Sequence, residues 1–401
     1  MRRCANLFLL LFALSAVSGL LSQLLPDRAV IHNLHQLLWI SCLLTGCLVY
    51  IGLGVNRHLP VAVLVLPMLW LVWSLIFWWP LDLTAISWGG TATYVGQLLM
   101  AMIVLKMNLL ANGRSLLLVP SQFSGSAFSL RRLLVFSCIS LIVVPATLAV
   151  ILFATASHLL QTSTAGFVQL RPDGLYMTEK IYHRDDKQIR LAGMIHLGQQ
   201  SYYHDLIASI PAEKTLILAE GVSDEANLLQ YAFNYHRVAD LFGLSTQEKF
   251  PFAGRLISRD ELDKPYREAF DGPHILPADI DLQQFDPRTV EVLNALARYV
   301  LNSDSLVSGY LEFNRWAEKN MTVDINRVVM NDLIAKRNRA LLDLLPPALK
   351  HYERLVIPWG ALHMKGIEEE VKQAGFYLVE STSRRSIRFF DLDLSSLLSE
   401  F

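Results

Sequence analysis

The sequence predicts two parts: an all-α multi-pass membrane domain over residues 1–160, then an α/β soluble domain with a mixed, largely parallel sheet over 161–401. Three observations predict this. Charge is split: of 35 Lys+Arg and 36 Asp+Glu, ten lie in 1–160 and 61 beyond, which is roughly 6% against roughly 25% of residues, the second being a soluble-protein value. The first part carries five apolar stretches near bilayer length. The second alternates short β-rich apolar runs with helical patterns, as a parallel sheet with crossover helices does. A disordered chain is excluded, since 53% of residues are hydrophobic.

The apolar stretches fall at 6–25, 36–53, 60–79, 91–110 and 133–158. The third is the clearest and the fourth the weakest, because it contains Lys106, whose ammonium near a helix end can snorkel. Trp70, Trp73, Trp78 and Trp79 suit either an interfacial belt or helix packing. Basic residues orient the spans. Arg2, Arg3, Arg57, Arg114, Arg131 and Arg132 lie in one set of alternate loops and only Arg28 in the other. That bias places the N-terminus in the cytoplasm of a plasma (inner) membrane, and five crossings then place 161–401 outside. The first stretch also reads as a signal peptide, through Arg2-Arg3, an apolar run and Ala16-Val17-Ser18-Gly19; its removal leaves the sidedness unchanged. All four cysteines, Cys4, Cys42, Cys47 and Cys138, precede residue 160, so a thiol nucleophile or thiolate metal site in the soluble part is excluded.

A polar linker is expected over 161–166. Strands are expected at 167–170 and 175–181 around the turn Arg171-Pro172-Asp173-Gly174, with Asp185-Asp186 at a second hairpin tip. Further strands are expected at 188–196, 214–220, 275–280, 354–359, 376–380 and 386–390. Helices are expected at 201–210, 224–242, 287–301, 323–345 (stopped by Pro346-Pro347) and 365–374 (ended by Gly375). The soluble part is net acidic without a basic stripe, which argues against a nucleic-acid partner.

The chemistry gathers where strands end. Gly193-Met194-Ile195-His196 closes one strand and Glu220 the next. Asp279 and Asp281 sit in Pro277-Ala278-Asp279-Ile280-Asp281, and Gly360-Ala361-Leu362-His363 follows a late strand and opens a helix. Open α/β sheets bind ligands beyond the carboxyl ends of their strands, so His196, Glu220 and His363 are expected to converge. Two imidazoles and a carboxylate suit a first-row divalent metal, whose open position can hold and acidify a water. The alternative is ordinary polar residues bonded to local backbone. His183, His204, His236, His274 and His351 match no chemical pattern, and no Gly-x-Ser-x-Gly elbow occurs.

In their order, these motifs resemble the TraB/TIKI family, with its PrgY and GumN relatives. The resemblance runs through 191–198 (Leu-Ala-Gly-Met-Ile-His-Leu-Gly), Ile217-Leu218-Ala219-Glu220, Ala278–Asp281, Arg337-Asn338 and Gly360–Ile367. It covers most of 187–380 and none of the membrane part. It implies a hydrolase-like fold and a metal-dependent protease aided by manganese or cobalt, with zinc also compatible. His196, His363 and Glu220 correspond to the proposed active-site elements. Some relatives instead restrain a peptide without a known reaction. Lys336 departs from the pattern, since an acid often precedes Arg-Asn.

The expected function is a membrane-tethered, metal-dependent hydrolase acting on a peptide or protein outside the cytoplasm, with the lipid bilayer as its other partner. His196, His363, Glu220 and Asp279 are the candidate metal ligands, Glu220 doubling as candidate base and Asp279 as a support for a histidine. Arg337 is a candidate for holding a substrate carboxylate or oxyanion, and Asn338 for orienting a ligand or water. The alternatives are a non-catalytic peptide-binding or signalling membrane protein, a metal-free hydrolase with His196 as base, and a transporter-like role for the helices.

Overall fold

The computed structural model describes residues 1–25, 28–76, 89–113, 115–262 and 272–393. The chain divides into two compact units, Met1–His158 and Leu159–Phe401.

In the first unit the apolar stretches are helices: α1 (Arg2–Leu24), α2 (Arg28–Val55), α3 (Val61–Leu75), α4 (Gly89–Asn112) and α5 (Leu130–Ser163). Four of them, α1, α2, α4 and α5, are long and apolar enough to cross a membrane. The third differs from expectation. It has 15 residues, about 22 Å at 1.5 Å each, short of a ~30 Å hydrocarbon layer. The rest of its expected span, with Trp78 and Trp79, lies outside the described residues, as does Arg114. Trp70 packs between helices, its ring against Gly96 and edge-on to Trp73 at 5.5 Å. A polar seam joins α1, α2 and α4. His35 Nδ1 meets the Ser15 carbonyl (2.9 Å), and Gln97 donates to the Phe12 carbonyl and to Ser15 Oγ. Such bonds hold helices together where apolar burial drives little association. Lys106 is exposed, Cys42 is buried as a core residue and Cys47 is exposed.

The expected linker is half helix and half turn. The last turns of α5 run through 161–163, and Thr164 caps them by donating to Leu160 O while accepting from Val168 N. The hairpin follows: β1 (Val168–Arg171) pairs with β2 (Gly174–Arg184) across a two-residue turn, and β2 turns at Asp185-Asp186 into β3 (Lys187–Met194). Then come β4 (Leu197–Gly198), α6 (Gln200–Ala208), β5 (Thr215–Ala219), α7 (His236–Phe242), β6 (Ser245–Thr246), β7 (Arg255–Leu256), α8 (Arg259–Leu262) and β8 (His274–Pro277). The chain continues through α9 (Pro287–Leu296), α10 (Leu306–Asn320), α11 (Val323–Met330), α12 (Arg337–Leu342), α13 (Leu345–His351), β9 (Arg354–Gly360), α14 (Ala361–Gln373) and β10 (Tyr377–Arg388).

The described strands form a mixed, mostly parallel eight-stranded sheet in the order β1-β2-β3-β9-β5-β8-β7, with β10 on the other side of β2. The pairs β3–β9, β9–β5, β5–β8 and β8–β7 are parallel, and those made by β2 are antiparallel. Buried strands such as Thr-Leu-Ile-Leu-Ala in β5 read as continuous apolar runs because successive residues, which point to opposite faces, are all buried through Leu218. The core gathers Leu216, Leu218, Leu355, Ile357, Trp359, Met364 and Ile367.

Four expectations are corrected. Residues 224–235 are irregular rather than helical, because Asp224 accepts from the Leu228 and Leu229 N–H groups and Asn294 holds Gln230 N. Pro346 and Pro347 do not end a helix but start α13, where a missing N–H costs nothing. The long helix over 323–345 is interrupted by a π-helical turn, Asn331–Lys336. The two last strands are one, β10, bent by two bulges.

One charge cluster ties β2 to α14. Glu368, 4% exposed, accepts from Lys180 (2.8 Å), Lys372 (3.1 Å) and the Tyr182 hydroxyl. Removing one member of a buried pair strands its partners. Glu368→Ala is expected to destabilise the protein by about 3 kcal/mol. Lys214→Ala, which breaks the exposed Lys214–Glu353 pair, should cost less than about 1 kcal/mol. Thermal unfolding in detergent, followed by tryptophan fluorescence, compares the two.

Candidate active site

Four adjacent parallel strands deliver candidate residues at their carboxyl ends. In spatial order, β3 leads to His196, β9 to Gly360 and His363, β5 to Glu220 and β8 to Asp279. The last parallel strand in the chain, β9, is thus inserted beside the first, β3, which brings residues distant in sequence to one edge. Arg337 and Asn338 arrive from the start of α12, immediately after the π turn. Such widened turns frequently mark functional sites. Here two consecutive residues both reach the site, each to a different strand end.

Arg337 lies between two carboxylates. Its Nη2 donates to Glu220 Oε1 (2.6 Å) and Asp279 Oδ2 (2.7 Å), and its Nε to Asp279 Oδ1 (3.0 Å). The side chains are enclosed, at 12% exposure for Arg337, 9% for Glu220 and 1% for Asp279. Burial alone would lower the guanidinium pKa; Asp279 and Glu220 reverse this and leave it raised. Asp279 also accepts from Gly221 N (3.0 Å) and Ile280 N (2.9 Å), so both its oxygens are occupied. Glu220 Oε2 accepts from Gly360 N, the N-cap of α14, where the helix dipole favours a carboxylate.

His363 sits in the first turn of α14, buried and edge-on to Trp359 at 5.1 Å. One amide fixes it: Asn338 Nδ2 donates to the His363 carbonyl (3.2 Å), leaving Asn338 Oδ1 to accept from the ring Nδ1–H (2.7 Å). The ring Nε2 then carries a lone pair in the neutral form. It faces Glu220 Oε1 at 3.6 Å, too far for a hydrogen bond. Burial pushes the His363 pKa down to about 4; Glu220 opposes this and Arg337 adds to it. At neutral pH two acceptors therefore face each other, a place for a proton donor or a cation. Gly366 makes room for this pair, since a Cβ there would lie 2.8 Å from Asn338 Nδ2.

Of the sequence-predicted residues, Glu220, Asp279, Arg337, Asn338 and His363 meet in one network. His196 does not bond to it. It is exposed and stacked on Tyr235, with ring centroids 5.3 Å apart and planes 9° apart. Asp281 instead orders the chain after β5, accepting from Ser223 Oγ, Glu225 N and Gln283 N. Lys336, standing where an acid often precedes Arg-Asn, pairs with Asp332 (2.6 Å), one turn earlier. His274 faces the Tyr352 hydroxyl at 2.7 Å and lies in the core.

Two residues were missed from sequence. Trp359 donates to Leu218 O (3.0 Å) and underlies both His363 and Arg337, its ring 5.4 Å from the guanidinium carbon; its position just before Gly-x-x-His was the available signal. Tyr235 had none, because its partner is 39 positions away in the sequence.

A divalent ion can be tested against these donors. Glu220 Oε1 and His363 Nε2 fit, both pointing to one place, and Asn338 orients the histidine as supporting groups do around metal ligands. Asp279 does not fit, because four N–H groups from three residues hold it. Among the described residues no group of three or more His, Cys, Asp or Glu is placed to hold a metal ion. No protein-family model, curated protein or solved structure matches the chain. The site's chemistry thus rests on its own geometry.

The His363 pKa has a consequence for stability. The folded value of about 4 lies below the ordinary 6.5. Between those values the unfolded chain binds more protons, so stability falls as pH drops from 6.5 to 4 and this contribution is flat outside that window. In His363→Gln, urea unfolding is expected to show a shallower pH slope across the same interval than in wild type. An unchanged slope would contradict a buried neutral imidazole.

Proposed function

We propose that this protein is a membrane-tethered hydrolase of peptides, of the TraB/TIKI kind, with its C-terminal unit outside the cytoplasm. The observation that carries the reading is the facing pair of His363 Nε2 and Glu220 Oε1, 3.6 Å apart at a sheet's carboxyl edge, with burial favouring the neutral histidine. A water placed there meets a base. Glu220 takes its proton, Gly360 N–H and Arg337 keep the carboxylate in position, and Asn338 keeps the lone pair of His363 turned inward. Asp279 positions Arg337 and balances its charge.

A divalent metal, manganese or cobalt with zinc also compatible, is part of the proposal. Glu220 and His363 would hold it, and His196 would join them only by leaving its stack on Tyr235. Such an ion supplies Lewis acidity, polarising a carbonyl and acidifying a water. Non-catalytic peptide binding is the second reading, favoured by the hold Arg337 already has on Glu220 Oε1.

Purified full-length protein, incubated with a peptide library with and without chelator, separates these readings. Turnover is expected in wild type. It should fall about 100-fold or more in Glu220→Gln, the scale of a lost general base, and equally in His363→Ala, with both variants folded. Turnover that survives chelation removes the metal and leaves the acid–base reading. Binding without cleavage in wild type selects the second reading.

The sidedness rests on six arginines against one in alternate loops and on five crossings, the third made by the 60–79 stretch, whose described helix covers 61–75. A periplasm-dependent reporter, such as alkaline phosphatase, fused after Phe401 is expected to be active. Activity only from a cytoplasm-dependent reporter would reverse the orientation.

A further inference from the structure

Beside Asp279 the sheet ends in a pocket. It has a volume of about 430 Å³ and lies where β7 and β8 finish. Leu256, Ile257, Leu276 and Pro277 give it apolar walls, and Arg259 is the one cation among its lining residues. Arg259 is anchored by Nη2 donating to the Asp279 carbonyl (2.9 Å). That bond fixes the guanidinium and leaves its other N–H groups without a partner among the described residues. Among the described residues no carboxylate is paired with it. Asp279 turns its own carboxylate to Arg337, and Glu261 pairs with Arg255 (3.1 Å) and accepts from Ser258 N. β7 is the last described strand on this side of the sheet, and Leu256 is 67% exposed, so the pocket opens outward while its inner wall is a residue of the candidate site.

We propose that this pocket is a substrate subsite for the C-terminal carboxylate of a peptide ending in an apolar residue. Arg259 takes the carboxylate through a charge-assisted, fork-shaped pair, and the four apolar walls take the side chain. The assignment rests on the peptide-hydrolase reading above and deepens it. Arg259 touches Asp279, Asp279 holds Arg337, and Arg337 holds Glu220, so the carboxylate would lie a short stretch of extended chain from the proposed base. Arg259 thereby sets which end of a peptide enters, and substrates carrying a terminal amide or a distant C-terminus are disfavoured.

The test uses full-length protein in detergent and two probes, acetyl-Ala-Ala-Leu with a free carboxylate and its C-terminal amide. Calorimetric titration on Glu220→Gln measures binding without turnover, and competition against the peptide library on wild type repeats the comparison in the unaltered site. The free acid is expected to bind about tenfold or more tightly than the amide, the scale of one charge-assisted hydrogen bond. Arg259→Gln, a change at an exposed side chain, should remove that preference while the melting temperature stays near wild type. Equal binding of acid and amide, absence of binding by both, or a preference that survives Arg259→Gln would overturn the subsite. A carboxylate preference in a protein that cleaves nothing would sink the hydrolase reading and leave the subsite. Cleavage without the preference would do the reverse.

Discussion

The site depends on one guanidinium. Glu220 and Asp279 end adjacent parallel strands, and two carboxylates buried at neighbouring strand ends repel each other without a cation between them. Arg337 supplies it, reaching both at 2.6 and 2.7 Å. Its planar fork matters, because one group must satisfy oxygens on two strands at once. The ammonium of a lysine would meet the charge but not the geometry. With one cation against two carboxylates and a neutral histidine, the cluster retains one negative charge beside His363 Nε2. That residual charge makes the spot attractive to a cation or to a water's protons.

The same arrangement explains why so many backbone groups converge here. Gly221 and Ile280 N–H hold Asp279, and Gly360 N–H holds Glu220. Each carboxylate is fixed by main chain at the mouth of the sheet, where strand hydrogen bonding has ended and N–H groups need partners. The site is therefore built into the sheet rather than carried on flexible loops. Trp359 supports it from the core, fully buried and bonded to the neighbouring strand. The proposed pocket continues the same edge outward, and Asp279 is its boundary with the charge network.

The legibility of these parts follows the range of the physics involved. The β1–β2 hairpin was readable because Pro-Asp-Gly sets the turn locally. The strand of Thr215–Ala219 was readable because a fully buried strand is a continuous apolar run. Residues 224–235 misled, since their apolar spacing suits a helix while Asp224, Asn294 and Asn302 hold the backbone elsewhere. A side chain 70 residues away leaves no local trace.

By itself the sequence determined the division into an apolar, charge-poor part and a charged α/β part, because solvent preference is written residue by residue. It also determined that Glu220, Asp279 and His363 follow strands, and that the soluble part contains no thiol. Only the tertiary structure decided how those residues are used. Strand order placed β9 between β3 and β5, which set His363 against Glu220 while His196 stacked on Tyr235. A widened turn aimed Arg337 and Asn338 at different strand ends. Asp279, equally plausible from sequence as a metal ligand, became the anchor of an arginine. The reason is that a carboxylate's role depends on which donors surround it, and those donors come from segments up to 140 positions apart, brought together only by the sheet.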